Sequence, residues 1–254
     1  MRRRKFLTSL GAAAVAGGCS LCAARIATAA EGHHWAYEGA EGPANWAGLS
    51  DDFKACGIGA EQSPIDLTQP TPGVLGDVAV NWQTSKLHVV NNGHTIQANM
   101  DAGSYILLQG KRFDLKQFHF HHPSEHLVGG NPQPMELHFV HAAEDGSLAV
   151  LGVFMVAGAA NDTIGTIWNA MPKQKGEAKT GDIVVPGHLL PAGRSFYRYA
   201  GSLTTPPCTE IVTWTVYADP IEVSDAQIKD FAALYPNNAR PVQALNRRFL
   251  LSTF

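Results

Sequence analysis

Gln117-Phe118-His119-Phe120-His121 and Glu136-Leu137-His138-Phe139-Val140-His141 both alternate with a period of two. Successive side chains of an extended strand point to opposite faces. Residues 117, 119 and 121 therefore share one face, and Phe118 and Phe120 turn toward an apolar layer. Glu136 and His138 share a face in the same way. Two imidazoles two positions apart can converge on one metal, and a neighbouring strand can present His138 as the third ligand. Three neutral imidazoles suit Zn2+ and leave the fourth tetrahedral position for water. Gln117 and Glu136 each sit one same-face step from a histidine, where an acceptor can fix the imidazole's orientation. Six of the 11 histidines fall between 119 and 141. Of these, His122, His126 and His141 have no role assignable from spacing and read as structural.

Outward from this pair, short apolar runs with the same period recur at 78–82, 87–90, 95–100, 105–108, 148–156 and 211–217. Gly, Pro, Asn and Asp punctuate them at short intervals, which indicates a mainly β protein. Helical patterning is sparse. It appears at 163–170 and at 224–233, where Ser224 suits an N-cap and Asp225 lies just inside the start. Residues 31–72 read as a loop-like arm that packs through Trp35, Tyr37 and Trp46. Residues 172–195 read as a polar, Gly/Pro-rich connection. No repeat or composition break marks a linker, so 31–254 is expected to form one domain.

The 254 residues are 45% apolar and 16% charged, with 25 Gly and 15 Pro. That excludes a disordered, collagen-like or coiled-coil chain and allows one large core. Residues 1–30 carry Arg2, Arg3, Arg4, Lys5 and Arg25 and no acid. A weakly apolar Ala/Gly-rich stretch follows the charged head, then the small-residue sites Ala27-Thr28-Ala29 and Thr28-Ala29-Ala30. This is the pattern of a secretory signal peptide. Arg3-Arg4-Lys5-Phe6-Leu7 resembles the twin-arginine export signal, with an ordinary secretion signal as the alternative. Lipid attachment at Cys19 is a weaker match, because Leu is missing ahead of Ala16-Gly17-Gly18. Gly11, Gly17 and Gly18 argue against a permanent membrane span. The mature chain is expected to be periplasmic or secreted. Without the leader, 14 basic face 22 acidic side chains, net −8. Nucleic acid would need a basic footprint that is missing here. Cys56 and Cys208 remain as an even pair in an oxidising compartment and are expected to form a disulfide. Closing a loop of 152 positions contributes on the order of 4–5 kcal/mol on the chain-entropy model.

Two families share parts of the histidine pattern. His119-x-His121-x3-Glu125 resembles the metal strand of a cupin, where Glu125 would be a ligand to iron or manganese. Gly110, nine residues before His119, stands too far away for that motif. The fuller likeness spans nearly the whole mature chain, from His34-Trp35-x-Tyr37 to the region of Asn246. Its blocks are Gln62-Ser63-Pro64-Ile65-Asp66, Asn91-Asn92-Gly93-His94, Gln117–His121, Ser124-Glu125-His126, Glu136–His141, Leu148-Ala149-Val150-Leu151-Gly152 and Gly201-Ser202-Leu203-Thr204-Thr205-Pro206-Pro207. In these the chain resembles the α-class carbonic anhydrases of the exported bacterial kind.

The resemblance implies a single domain on a large twisted, mostly antiparallel central sheet with a few short peripheral helices. It implies zinc at the foot of a cone-shaped cavity, held by His119, His121 and His138, with Glu125 a non-ligand; that sets the cupin reading aside. Gln117, Glu136 and the backbone carbonyl of Asn246 would support the ligands. The implied reaction is the reversible hydration of carbon dioxide to bicarbonate and a proton through zinc-bound hydroxide. Val140, Val150, Leu203 and Trp214 would form the apolar wall for carbon dioxide. Thr204 would give its hydroxyl proton to Glu125 and orient the nucleophile, and Thr205 would help hold bicarbonate or a water. His94 would shuttle the proton, since an unperturbed histidine pKa near 6.5 suits that task. Tyr37, Asn92 and Gln97 would order the connecting waters, Gln97 standing where Asn is common. His122 replaces the Trp usual in the vertebrate enzymes. Sulfonamides and small anions are expected inhibitors, and a homodimer is a further family expectation. The alternative is a non-catalytic zinc-binding module on the same fold; such relatives typically lose a ligand histidine, and none is missing here.

Overall fold

The computed structural model describes residues 33–254. The expected leader, with its twin-arginine-like pattern and Cys19, lies outside the described residues. A 13-stranded sheet organises the rest. Across it run, in order, Thr71–Pro72, Leu251–Ser252, Phe196–Gly201, Val212–Tyr217, Leu148–Ala157, Met135–Ala142, Lys111–His121, Ile96–Asn99, Ser85–Asn91 and Gly176–Val184. Pairing is mostly antiparallel. Leu148–Ala157 runs parallel to Val212–Tyr217 and to Ile221–Val223, and Thr71–Pro72 runs parallel to Leu251–Ser252. The mainly β, single-domain expectation holds.

The two faces of the central strands differ. Phe118, Phe120, Leu137, Phe139, Leu151 and Val153 belong to one large core. Two helices close it: Asp162–Ala170 contributes Ile164, Ile167 and Trp168, and Asp225–Ala232 contributes Phe231. Asn161 caps the first helix through the Ile164 amide. Ser224 and Gln227 form a reciprocal capping box on the second, as the Ser224 reading requires. Among the described residues no helix is long and apolar enough to cross a membrane.

One irregularity places the site. The register of Lys111–His121 against Met135–Ala142 shifts between Leu115 and Gln117. Phe113 and Leu115 face the large core ahead of this bulge, and Phe118 and Phe120 face it afterwards. An extra residue in one strand switches the parity of every side chain beyond it. Gln117, His119 and His121 thereby reach the opposite face.

Two parts of the sequence reading need correction. Residues 172–195 are not simply a connection: they contain the edge strand Gly176–Val184 and a short helical turn, Pro186–Leu189. The edge strand is mostly exposed and polar, so it lacks the apolar alternation that marks a half-buried strand. The arm contains the short helices Trp46–Leu49 and Ala55–Ile58. It packs through Trp35, Tyr37 and Trp46 as expected, with ring centroids 5.2–5.9 Å apart. The arm is tied to the 203–209 loop by the Cys56–Cys208 disulfide.

Candidate active site

Cross-strand register builds the site as a grid. One row runs Gln117, Val140, Val150, Trp214, Tyr199 across five strands. The next runs Gln97, His119, His138, Gly152, Val216. The third pairs His121 with Glu136. His119 and His138 are direct cross-strand partners, and His121 lies one same-face step further on. Gly152 fills the ligand row because a Cβ there would meet Glu136 Oε1 at 3.1 Å and Val216 Cγ2 at 3.2 Å.

Each of the three imidazoles is held by an acceptor. His119 Nδ1 donates to Gln117 Oε1 at 2.8 Å, His121 Nδ1 to the Asn238 carbonyl at 2.8 Å, and His138 Nε2 to Glu136 Oε1 at 2.8 Å. An acceptor partner puts the proton on the bonded nitrogen and the lone pair on the other. His119 Nε2, His121 Nε2 and His138 Nδ1 are left as lone-pair donors. The three residues can present ligand nitrogens within 4.8 Å of one another. His121 Nε2 is buried with no hydrogen-bond partner among the described residues. An orphaned buried nitrogen beside two convergent imidazoles fits a metal ion. Burial, followed by the mutual repulsion of the ring charges, lowers the pKa of His119 well below the usual value. Burial lowers that of His121 too, so both favour the neutral, ligating form.

Glu136 supports more than His138. Its Oε1 also accepts from His126 Nδ1 at 2.7 Å, and its Oε2 accepts the Glu125 and His126 amides, each at 2.9 Å. Burial pushes this carboxyl pKa up, but the imidazoles of His126 and His138 outweigh it, and the pKa lies well below the usual range. His126, structural on spacing alone, continues the chain: its Nε2 lies 2.6 Å from the Tyr199 hydroxyl, which donates to Ser63 Oγ. Its only sequence signal is its place in Ser124-Glu125-His126.

Asn246 is not the supporting carbonyl. It is exposed, and its amide bonds to the Ala60 carbonyl. Asn238 takes that place. Residues 234–250 contain neither helix nor strand, so no periodicity indicates which asparagine of this segment reaches the metal strand.

His119 and His138 open into a cavity of about 1110 Å³, with His121 buried behind them. Val140, Val150 and Trp214, neighbours along one row of the sheet, line it together with Leu148, Leu203 and Pro206; Asn92, His94, Gln97 and Gln117 line it as well. Thr204 and Thr205 border it as well. Glu125 is buried, and its Oε1 accepts the Arg240 amide at 2.9 Å. Its Oε2 makes no hydrogen bond among the described residues but lies 3.5 Å from His121 Nε2 and 3.8 Å from His138 Nδ1, so the expected Thr204–Glu125 hydrogen bond is not made in this arrangement. Nothing in the sequence singles out Arg240. Its buried guanidinium donates to Gln62 Oε1 and to the Ser63 and Cys56 carbonyls, joining the arm to the Glu125 loop.

His94 stacks on Trp35, with centroids 3.7 Å apart and planes 8° from parallel. Burial, then the nearby charges of His34 and Lys175, lower its pKa to about 4. That is well below the value expected of a shuttle. Asn92 Oδ1 accepts the His94 and Thr95 amides and shapes this turn, and Gln97 donates to Asn99 Oδ1. Tyr37 is not part of the cavity lining. It packs against Trp35 and Trp46, and burial, with Glu125 and Tyr235 nearby, raises its pKa well above the usual phenol value.

Residues 41–254 match the family model described as eukaryotic-type carbonic anhydrase. The chain is 45% identical to a carbonic anhydrase of Nostoc sp., over 98% of this chain and 97% of that protein. It is 42% identical to a carbonic anhydrase of Neisseria gonorrhoeae, over 91% and 92%. The structure superposes with a TM-score of 0.85 on an α-carbonic anhydrase from Thermovibrio ammonificans solved with the inhibitor sulfanilamide. That match has 44% identity and covers 87% of this chain and 99% of the other.

Proposed function

Because this chain belongs to the eukaryotic-type carbonic anhydrase family, we propose that it catalyses the reversible hydration of carbon dioxide to bicarbonate and a proton. The observation that carries this reading is the convergence of three acceptor-fixed imidazoles beside an apolar wall. His119, His121 and His138 would hold Zn2+. Zinc would supply a Lewis acid, which brings the pKa of a bound water to about 7 in carbonic anhydrases as a family.

The chain's own groups have separable tasks. Gln117, Glu136 and Asn238 accept from the imidazoles and fix which nitrogen faces the ion. Val140, Val150, Leu203 and Trp214 exclude water from one side of the cavity and hold a substrate with no charge and weak hydrogen-bonding power. Glu125 Oε2, buried and without a hydrogen bond among the described residues, would accept the Thr204 hydroxyl on turning from the nitrogens of His121 and His138. A Thr204 whose proton points at Glu125 can only accept from the reacting oxygen, which orients it. Thr205 would bind the product anion. His94 would carry the proton outward once its ring leaves the stack on Trp35, with Asn92 and Gln97 beside the path. Sulfonamides and small anions would compete at the same place, as sulfanilamide's presence in the Thermovibrio structure suggests. Residues 1–30 would direct export and be removed.

The test combines metal analysis of the purified mature chain with a stopped-flow pH-indicator assay. One equivalent of zinc and carbon dioxide hydration far above buffer are expected. Full zinc occupancy with hydration no faster than buffer would refute catalysis and leave a zinc-binding module.

A further inference from the structure

His121 is the last residue of its strand, and beyond it the metal strand leaves the sheet at His122. The contact that steadies this end comes from Asn238, a fully buried residue in the irregular segment 234–250. Its carbonyl takes the His121 Nδ1 proton. Its side chain makes three further contacts. Oδ1 accepts the His122 amide at 2.8 Å, and Nδ2 donates to the Phe120 carbonyl at 2.9 Å and to the His94 carbonyl at 3.0 Å. The Asn238 amide itself donates to the His122 carbonyl at 3.1 Å. One residue therefore holds the backbone on both sides of a ligand and the ligand's ring. The same side-chain amide also grips the turn that carries His94.

We propose that the Asn238 side chain is a positioning residue that couples the metal-facing ring of His121 to the His94 turn. The inference rests on the zinc-enzyme reading above. Both amide hydrogens are in use, one on each structure, so neither can shift without loading the other. Thr95 Oγ1 also donates to the Phe120 carbonyl, at 2.6 Å. That carbonyl keeps a partner when Asn238 is truncated; the His122 amide and the His94 carbonyl lose theirs. The His94 turn leads into Ile96–Asn99, whose ladder with the metal strand ends at Gln97 and His119, so Asn238 adds a clasp beyond the end of that ladder.

The test uses the zinc-loaded mature chain. Asn238→Ala is expected to weaken zinc about 10-fold or more, read by competition with a chelator, in line with losses of groups that orient metal ligands. It is also expected to move the NMR resonances of His94 and its turn. Gln117→Ala frees His119 instead, and it should weaken zinc while leaving the His94 resonances in place. Should the alanine variant not fold, Asn238→Asp keeps the size and the acceptor toward His122. It faces two carbonyls with an oxygen and should give the same two changes. Unaltered zinc affinity in a folded variant, or unmoved His94 resonances, would overturn the coupling alone. An unsubstituted chain that does not retain zinc would overturn the functional reading and this inference with it.

Discussion

Glu136 concentrates the electrostatics of the site in one carboxylate. Its two oxygens accept four hydrogen bonds, two of them from imidazoles. Replacing it by glutamine removes the charge and turns one acceptor into a donor facing N–H groups. Glu136→Gln should lower zinc affinity about 10- to 100-fold, measured by chelator competition; an unchanged affinity would show that His138 does not depend on this partner. His94 raises a different question at the same scale. In its stacked position on Trp35 the ring has a pKa lowered to about 4, and at neutral pH it is a poor proton carrier. NMR titration should find that low value whenever the ring is stacked. His94→Ala should slow turnover in dilute buffer and recover on adding imidazole. Turnover that is indifferent to the substitution would remove His94 from the proton path.

Gly152 matters through the strands around it. Leu148–Ala157 lies between the ligand strand and Val212–Tyr217, and any side chain at 152 would press on Glu136 and Val216. Gly152→Ala should destabilise the fold by about 1–3 kcal/mol, the usual cost of overpacking, and loosen zinc together with it. Thermal unfolding and chelator competition check this, and a Tm loss with zinc affinity intact would contradict the role given to the missing side chain. The strands themselves show where periodicity is a safe guide. Gln117–His121 and Glu136–His141 are legible because alternating faces meet unlike surroundings, an apolar core and a cavity. Gly176–Val184 is not legible, being exposed along most of its length. Phe196–Gly201 is equally hidden: it is buried on both faces, with Arg198 between Tyr197 and Tyr199, so no alternation marks it. The bulge before Gln117 leaves one trace, the change of apolar parity from Phe113 and Leu115 to Phe118 and Phe120.

Two properties belong to the whole molecule. The Cys56–Cys208 disulfide closes a loop of 152 positions and links the arm to the loop that bears Thr204 and Thr205. The Cys56→Ser/Cys208→Ser double variant should lose about 5 kcal/mol on the chain-entropy model, seen as a lower denaturant midpoint. A midpoint equal to that of the parent would mean the crosslink adds nothing. Acid sensitivity is the second. Burial, opposed by bonds to the Ala149 and Phe139 carbonyls, lowers the pKa of His141 to about 3. The unfolded chain then binds more protons than the folded one between about pH 6.5 and about 3. Stability from this group is complete above about pH 6.5 and falls with acid by up to about 1.4 kcal/mol per pH unit across that window. Urea titrations from neutral pH down to about pH 4 should follow that slope, and a His141 ring that titrates at its ordinary value in the folded protein would contradict it.

Residue types and the two-residue period are enough to place Gln117, His119, His121, Glu136 and His138 on common faces, because side-chain direction along a strand is a local property. Motif likeness then supplies the family, and cysteine parity the disulfide. Folding in three dimensions decided that Asn238 and not Asn246 meets His121, that His126 extends the support of Glu136 to Tyr199, and that Trp35 covers His94. Each of these is a contact between segments far apart in the chain. At least one partner lies in a stretch without regular periodicity, where only packing sets the distance between groups.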